Sequence, residues 1–200
     1  IKMSKIVLAS GNEHKIEELN KLLEDEPYQV LSKKDFDNLP EVVEDKDTLQ
    51  GNALKKAREI CQIVELPTLA DDTGLEVDSL DGKPGVYSAR FAGPEATDKD
   101  NNEKLLRLLA DYEDADQRTA RFRTVIALVL PDGREKVVEG KCEGYILKEP
   151  RGEQGFGYDP LFYVEEYDAT FAQLPMETKN KISHRGRAFR SIIKEIKGII

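Results

Sequence analysis

Two adjacent aspartates have the residue type and setting for metal or acid–base chemistry. Asp71 and Asp72 follow the apolar residues Leu69 and Ala70 and precede Thr73. Carboxylate oxygens are the ligands that Mg²⁺ requires, and residues at the carboxyl end of a strand face the crevice where open α/β sheets bind ligands. Neighbouring side chains on a strand point to opposite faces, so we expect only one carboxylate to reach a metal directly. The same composition also suits a polar turn.

Three acidic residues lie upstream in a polar segment and could supply a second carboxylate: Glu41, Glu44 and Asp45. A solvated acidic loop is the alternative, because runs of charge usually face water. Composition alone leaves both interpretations open.

A short polar segment between an apolar run and a helical pattern has the features of a phosphate-binding loop. This segment, the first loop, reads Ser10-Gly11-Asn12-Glu13-His14-Lys15. Glycine lets the backbone approach a ligand, a helix start presents unpaired N–H groups, and a lysine one turn into the helix adds positive charge. The segment matches neither the Walker A motif nor the dinucleotide-binding fingerprint, and its composition also suits an ordinary capped turn.

Aromatic and basic residues in the last quarter of the chain could bind a nucleotide. Residues 155–160, the aromatic loop, offer Phe156 and Tyr158 for stacking on a base and Asp159 as an acceptor for a ring N–H. Basic residues near the start of the final predicted helix lie where the helix dipole favours anions: Lys179, Lys181, His184, Arg185 and Arg187. Helices usually carry cations at the opposite end, so this arrangement indicates a ligand. Alternatively, the aromatic residues are core and the basic run is a solvated face.

The elements that must position these residues alternate between strands and helices. Apolar or β-branched runs predict strands at residues 5–9, 68–71, 75–78, 119–130, 135–147 and 161–164. Apolar residues at helical spacing predict helices after Asn12, over residues 48–64, from Thr97 and from Ser183. Turn residues predict a loop at 81–85 and a hairpin turn at 131–133. This order predicts a single α/β domain with a mixed sheet over residues 1–200.

Composition excludes several classes of protein. The 200 residues are 34% charged and 39% apolar, as in a globular protein, and the net charge is -9. Such a charge argues against a nucleic-acid partner, whereas a small anion is compatible with a local group of cations. No apolar run is long enough to span a membrane and no signal peptide is recognisable, so we expect a cytoplasmic protein. Cys61 and Cys142 lie far apart and are predicted to be core thiols.

Six motifs, in order along nearly the whole chain, resemble those of the inosine triphosphate and xanthosine triphosphate pyrophosphatases, the Ham1-like family. They are SGNEHK at 10–15, NALKKA at 52–57, ADDTGL at 70–75, PGVYSARFAG at 84–93, GFGYDP at 155–160 and SHRG at 183–186. The resemblance implies a two-lobed α/β fold around a long mixed sheet and a homodimer. It also implies Mg²⁺-dependent hydrolysis of ITP, dITP and XTP to the nucleoside monophosphate and pyrophosphate.

The resemblance further implies roles for individual residues. Asp72 would be a metal ligand and the general base that activates water for attack on the α-phosphorus. The phosphates would be held by the first loop and one lysine, namely Ser10, Gly11, Asn12, Glu13, His14, Lys15 and Lys56. Other substrate contacts would come from Thr73, Phe156, Gly157, Tyr158, Asp159, Lys179, His184 and Arg185.

Two positions depart from the family pattern. Gln50-Gly51 stands where the family commonly has two glutamates, which shifts the expected second metal ligand upstream. Glu44 matches the family's acidic position better, and Glu41 matches some members. His14 stands where the first loop of the family often has glycine or lysine.

Base selection has a partial physical basis, and two rival functions remain. Hypoxanthine and xanthine present an acceptor at position 6 and a donor at N1, the reverse of adenine, so a donor such as Arg185 would disfavour ATP. The rivals are hydrolysis of modified pyrimidine triphosphates, as in the Maf-like group, and non-catalytic nucleotide binding by a regulator. Asp71 and Asp72 beside lysines favour catalysis, because a pure anion-binding site gains nothing from added negative charge.

Overall fold

Strands and helices alternate in the computed structural model, which describes residues 3–199. The strands are β1 (Ser4–Leu8), β2 (Tyr28–Ser32), β3 (Thr68–Val77), β4 (Pro84–Gly85), β5 (Thr119–Val129), β6 (Glu135–Ile146), β7 (Phe162–Val164) and β8 (Ala169–Thr170). The helices are α1 (Glu13–Leu22), α2 (Leu49–Val64), α3 (Asp98–Leu108), α4 (Met176–Ile182) and α5 (His184–Ile199). Between residues 3 and 199, no helix has the length and apolar character needed to cross a membrane.

The strands form one mixed sheet in the order β2-β1-β3-β5-β6-β7-β8, with β4 paired to β3. β1 is parallel to both of its neighbours, pairing Ile6 with Val30 and Val7 with Thr68. The pairs β3–β4, β6–β7 and β7–β8 are antiparallel. β5 and β6 are neighbours joined by a tight turn at residues 131–133, as the predicted hairpin requires. The predicted α/β class with a mixed sheet is therefore confirmed.

The first of two compact units contains the described residues up to Asp72, Thr124–Gly140 and the segment from Arg185 onward. Its core combines buried strand residues, such as Leu69 and Ile126, with apolar side chains of α1 and α5. The buried residues of α5 recur at the helical spacing that the sequence indicates: Ala188, Phe189, Ile192, Ile193 and Ile196. Because β1 and α1 share this core, the first loop between them has both ends fixed.

The second unit contains Thr73–Arg123 and Lys141–His184. Its core, the aromatic core, includes Phe122, Phe162 and Phe171, whose ring centroids lie 4.6 to 5.6 Å apart. Arg118 is only 4% exposed and donates hydrogen bonds to the carbonyl oxygens of Leu109, Tyr112, Ile146 and Leu147. A buried cation thus ties the residues that follow α3 to the end of β6.

Two helices begin where the sequence predicts, each with a capping threonine. The Thr48 hydroxyl accepts from Gly51 N at 3.0 Å at the start of α2. Thr97 begins α3 with a capping box, in which its hydroxyl accepts from Asp100 N and the Asp100 carboxylate accepts from Thr97 N at 2.8 Å. The predicted helices at these positions are confirmed. Both cysteines are buried and free, as predicted.

The strand that carries the two aspartates differs from the prediction. The sequence predicts short strands at 68–71 and 75–78 with a turn between them, but β3 runs unbroken through both. Gly74 explains the difference, because it does not form a turn but lets the backbone of β4 approach β3 closely. A Cβ at Gly74 would lie 2.4 Å from Gly85 O. The aspartates therefore lie inside a strand, and the prediction that they stand at a strand's carboxyl end is wrong.

Two further predictions need correction. The predicted loop at 81–85 ends in β4, whose two residues pair with β3. The sequence does not predict α4, which is short and has a weak apolar pattern. Lys179 and Lys181 lie in the last turn of α4, where cations suit the helix dipole. The prediction that basic residues gather at the start of the final helix is therefore wrong for these two lysines. It is correct for His184 and Arg185, which begin α5.

Candidate active site

The first loop joins β1 to α1 in the first unit. Asn12 is the N-cap of α1: its side chain accepts from Lys15 N at 3.3 Å, and its own N–H donates to Ser10 Oγ at 3.1 Å. Gly11 is exposed, and a Cβ there would meet nothing within 4 Å. The loop therefore presents an accessible helix start, with its N–H groups and positive dipole end, to an anion.

Two residues of the first loop lie on its solvent side. Glu13 forms an ion pair with Lys34, and its side chain is 72% exposed. Hydrogen bonding to Lys34 lowers the pKa of Glu13. His14 is also exposed.

A buried ion pair joins the first loop to β3. Lys15 Nζ lies 2.7 Å from Asp71 Oδ2, and the Asp71 side chain is only 3% exposed. Burial by itself would raise the pKa of Asp71, but nearby positive charges outweigh burial and lower that pKa to about 2. Those charges belong to Lys15, Arg185 and Lys56. Asp71 therefore stays ionised and anchors the Lys15 ammonium.

The neighbouring carboxylate has the opposite ionisation behaviour. Asp72 is 8% exposed and accepts a hydrogen bond from Asn52 Nδ2 at 3.0 Å. Burial raises the pKa of Asp72 to about 6, and the negative charges of Glu44 and Asp71 add to that shift. Lys56 opposes the shift without cancelling it. A carboxylate whose pKa approaches neutrality is suited to accept a proton at physiological pH.

Lys56 connects the acidic groups around β3. Its Nζ donates to Asp71 O at 2.6 Å and forms an ion pair with Glu44. Lys56 and Asn52 both lie in α2. They are four residues apart, so they share the face of the helix that contacts β3. The Asn52 side chain is fully buried and also accepts from Lys46 N at 2.9 Å, which fixes the orientation of its amide.

The two candidate second metal ligands lie in different surroundings. Glu44 has a side chain 33% exposed, and its charge raises the pKa of Asp72. Glu41 is 94% exposed and pairs with Lys33 at 3.3 Å. The structure therefore brings Glu44 close to Asp72, whereas Glu41 projects into solvent. Across residues 3–199, no three His, Cys, Asp or Glu side chains are grouped to hold a metal ion.

The aromatic loop, in the second unit, depends on its two glycines. Gly155 and Gly157 have φ of +80° and +59°, the left-handed region that favours glycine. A Cβ at Gly155 would also lie 2.1 Å from Asp159 Oδ2. That oxygen accepts from Phe156 N at 3.0 Å and lies 2.5 Å from Lys179 Nζ. Asp159 is 4% exposed and thus fixes the loop from inside.

The two aromatic residues of the aromatic loop have different surroundings. Phe156 is 48% exposed, with Lys179 Nζ 5.4 Å from its ring centroid. Tyr158 is 5% exposed, its hydroxyl donates to Ser88 O at 2.7 Å, and burial raises its pKa. Tyr158 is therefore a core residue, the alternative that the sequence leaves open. The exposed Phe156 ring can stack on a planar ligand.

The remaining predicted site residues lie at the unit boundaries of the chain. His184, in the second unit, is 5% exposed and stacks on Phe122 with ring centroids 4.7 Å apart. Arg185, in the first unit, supplies positive charge that lowers the pKa of Asp71. Thr73 is partly buried and continues β3 into the second unit. The structure thus associates His184 with the aromatic core and Arg185 with the charged groups around Asp71.

The sequence assigns no role to Asn52 and does not predict the ion pair that Asp71 forms with Lys15. Asn52 lies within a motif of the resemblance, and Asp71 adjoins the predicted base. Asn52 could have been found from its position, since it is a polar side chain on the apolar, inward face of α2 and a buried amide needs hydrogen-bond partners. For Asp71, the signal is a charge on the opposite face of the same buried strand, which needs a cation.

The chain is similar to known proteins over nearly its whole length. The sequence model of the Ham1 family matches residues 6–195. A dITP/XTP pyrophosphatase from Desulforamulus reducens is 54% identical over 190 residues, covering 95% of this chain and 94% of the relative. A dITP/XTP pyrophosphatase from Geobacter sulfurreducens is 52% identical over 188 residues, covering 93% of each chain.

Solved structures extend the similarity to the fold. A HAM1 protein from Coxiella burnetii has a TM-score of 0.92 and 40% identity, covering 98% of this chain and 100% of the other. The Ham1 protein of Staphylococcus aureus has a TM-score of 0.89 and 39% identity, covering 98% of this chain and 99% of the other.

Proposed function

The chain belongs to the Ham1 family, and on that basis we propose that it hydrolyses purine nucleoside triphosphates such as ITP, dITP and XTP. The proposed products are the nucleoside monophosphate and pyrophosphate. The observation that carries the proposal is Asp72, a buried carboxylate with a pKa raised to about 6 next to the cation-paired Asp71. The names of the two curated relatives support the substrate class.

Phosphate binding is proposed for the first loop, which includes Lys15, and for Lys56. The start of α1 offers backbone N–H groups and the positive end of the helix dipole. Lys15 and Lys56 add two ammonium groups, held by the carboxylate and the carbonyl of Asp71 at 2.7 and 2.6 Å. Because both lysines are held before the substrate arrives, less side-chain entropy is lost when phosphates bind.

Asp72 is proposed as the general base. The hydrogen bond from Asn52 orients its carboxylate. Asp72 takes a proton from a water molecule as the water oxygen attacks the α-phosphorus. The bond between the α-phosphorus and the oxygen that bridges to the β-phosphorus breaks, and that oxygen leaves with pyrophosphate. The fixed cations at Lys15 and Lys56 offset the charge of the leaving group.

Mg²⁺ is the proposed cofactor, with Asp72 and Glu44 as its protein ligands. The donor set fits this ion, because both groups are hard oxygen donors and their repulsion, which contributes to the raised pKa of Asp72, would be relieved by a cation. When bound, the ion would neutralise charge on the triphosphate oxygens. Glu41, exposed beside Lys33, is the alternative ligand.

Base recognition is proposed for the aromatic loop and for Arg185. The exposed ring of Phe156 offers a stacking surface that any purine could use. Selection against adenine would come from a donor to the 6-oxygen, and Arg185 is the proposed donor. A homodimer is proposed from the family resemblance.

A pyrophosphate-release assay over a panel of nucleotides, with and without Mg²⁺, tests the proposed reaction. We expect ITP, dITP and XTP to be hydrolysed at least about 100-fold faster than ATP, CTP or UTP. Release of orthophosphate with a nucleoside diphosphate would place the cut at the γ-phosphorus and contradict the proposal. A preference for modified pyrimidine triphosphates would favour the Maf-like alternative, and tight binding without turnover would favour a regulator.

A further inference from the structure

Both backbone polar groups of Gly157, in the middle of the aromatic loop, are held by one helix. Gly157 N donates to Asp98 Oδ2 at 2.7 Å, and Gly157 O accepts from Asn102 Nδ2 at 2.9 Å. Asp98 and Asn102 are four residues apart and so share a face of α3. We call these two residues the glycine clamp. The bond to Asp98 is the shorter of the two.

The helix that carries the glycine clamp is itself well fixed. Asn101 is 3% exposed, donates to Ala89 O at 3.1 Å and accepts from Ala92 N at 2.8 Å. Leu105, in the last turn of the helix, and Leu109, which follows the helix as its C-cap, are fully buried among the aromatic core residues. A group on a packed helix holds its partner more rigidly than a group on a loop.

The aromatic loop needs such a support, because its own sequence is permissive. Glycines on both sides of Phe156 lose more conformational freedom on ordering than any other residue type. Asp159 holds both backbone groups of Phe156, because its carboxylate accepts from Phe156 N and its own N–H donates to Phe156 O at 3.2 Å. The glycine clamp holds both backbone groups of the next residue, Gly157. Removing the clamp would therefore release Gly157 and widen the range of orientations that the Phe156 ring samples.

Asp98 is not required to cap α3. Thr97 and Asp100 already form a complete capping box at that helix start. The Asp98 carboxylate instead reaches a backbone N–H that lies 59 residues further along the chain. Its charge also contributes to the raised pKa of Tyr158, after burial, which is a second sign that it lies against the aromatic loop.

We propose that Asp98 and Asn102 are positioning residues that hold Phe156 in the orientation needed to stack on a purine base. This inference rests on the proposed function. It implies that the glycine clamp controls affinity for ligands that carry a base and has no influence on ligands that consist of phosphate alone.

Calorimetric titration with IMP and with inorganic pyrophosphate, both with Mg²⁺, separates the two contributions. In Asp98→Ala and Asn102→Ala we expect IMP to bind about tenfold more weakly, as for a lost hydrogen bond, and pyrophosphate to bind as in the wild type. Asp98→Asn keeps an acceptor for Gly157 N and should restore most of the IMP affinity. The matched control is Asp100→Ala, which weakens the cap of the same helix and should leave both affinities unchanged.

Hydrogen exchange over residues 152–160 supplies a readout that does not depend on any ligand. Exchange should be faster in Asp98→Ala and Asn102→Ala than in the wild type or in Asp100→Ala, with an intact fold verified by circular dichroism. Unchanged exchange, unchanged IMP affinity, or equal losses for IMP and pyrophosphate would each overturn the glycine clamp. A wild-type protein that binds AMP as tightly as IMP would instead overturn the proposed base specificity, and the exchange data would still decide whether the clamp exists.

Discussion

At the scale of single residues, two neighbouring aspartates acquire different chemistry because they face opposite sides of one strand. Asp71 meets Lys15 and has a lowered pKa, whereas Asp72 meets a neutral amide and a second acid and has a raised pKa. A carboxylate paired with cations holds them well but accepts a proton poorly, because its pKa is low. A buried carboxylate whose charge is less fully balanced by cations has a higher pKa and is the better base. Environment, and not residue type, therefore separates their proposed roles.

Replacing Asp72 by asparagine should remove the proposed base and stabilise the metal-free protein. We expect kcat to fall at least about 100-fold, the contribution of a positioned base. The pKa of Asp72 is about 6 in the folded protein and 3.8 by default, so the fold favours the protonated carboxyl. The stability that this protonated form contributes is complete below pH 3.8 and is lost as the pH rises through about 6. In EDTA at alkaline pH the neutral variant should therefore be more stable by about 1–3 kcal/mol. Urea unfolding and steady-state kinetics measure both effects, and near-normal turnover by a folded variant would exclude the base role.

Replacing Asp71 by asparagine should leave Lys15 without its buried counter-charge. Breaking such a pair costs about 3–5 kcal/mol, and the displaced ammonium should weaken pyrophosphate binding. The pKa of Asp71 is about 2 in the folded protein, below its ordinary value of 3.8. The stability that the ionised carboxylate contributes is therefore present above pH 3.8 and is lost as the pH falls toward 2. Unfolding free energies measured between neutral and acid pH should therefore converge for variant and wild type. The matched control is Lys34→Ala, which removes the exposed pair with Glu13 and should change little; equal losses in both variants would contradict the anchor role.

Replacing Arg185 by alanine distinguishes base reading from phosphate binding. If Arg185 donates to the 6-oxygen, the preference for ITP over ATP in kcat/KM should narrow by roughly 1–3 kcal/mol, because one polar contact is lost. If Arg185 binds phosphate, the affinity for ITP and for ATP should fall by the same factor, and the ratio of their kcat/KM values should not change. Lys15→Ala serves as the phosphate-contact control. An unchanged ratio in both variants would refute base reading by Arg185.

At the scale of elements, helix phase and strand contacts bring distant residues to β3. α2 presents Asn52 and Lys56 from one face, and Thr48 sets where that helix begins. β3 can carry the aspartates in its interior because Gly74 lets β4 approach closely. The periodic helices were predictable, since apolar spacing is a local signal. The unbroken β3 was not, because a glycine reads as a turn until the backbone that packs on it is known.

Replacing Gly74 by alanine should separate β3 from β4. The added Cβ would lie 2.4 Å from Gly85 O, a backbone atom that cannot move without disturbing the pairing. We expect a loss of about 1–3 kcal/mol in the free energy of unfolding, the usual cost of overpacking. Thermal or urea unfolding measures it. Gly198→Ala, in α5 with open space around it, is the control and should leave stability unchanged or raise it by about 0.5–1 kcal/mol; equal destabilisation in both variants would contradict the steric explanation.

At the scale of the whole molecule, an acidic protein groups three cations around one buried carboxylate. The net charge is -9, yet Lys15, Lys56 and Arg185 all act on Asp71. Local arrangement thus overrides overall charge for a small polyanion, whereas a long nucleic acid would meet the negative surface as well. Mg²⁺ would reduce the negative charge around Asp72 further.

Mg²⁺ should raise the unfolding temperature of the wild-type protein, because a ligand of the folded state alone stabilises it. We expect this shift to be largely lost in Glu44→Gln and retained in Glu41→Gln, since Glu44 acts on Asp72 and Glu41 is 94% exposed beside Lys33. Thermal unfolding with increasing Mg²⁺ measures the shift without relying on activity. Loss of the shift in the Glu41 variant alone would reverse the proposed ligand assignment.

The sequence by itself determined the α/β class, four of the five α-helices found in residues 3–199, the long hairpin and the resemblance to the Ham1-like family. Periodicity, capping residues and motifs are local in the chain, so they can be read without coordinates. Only the tertiary structure decided that Lys15 is paired with Asp71, that Glu44 and not Glu41 lies close to Asp72, and that Tyr158 is core. The partners of Asp71 and Asp72 lie 56 and 20 residues away, and the glycine clamp joins residues 59 and 55 apart. Burial and charge set by such distant neighbours determine pKa and loop order, and no local pattern records them.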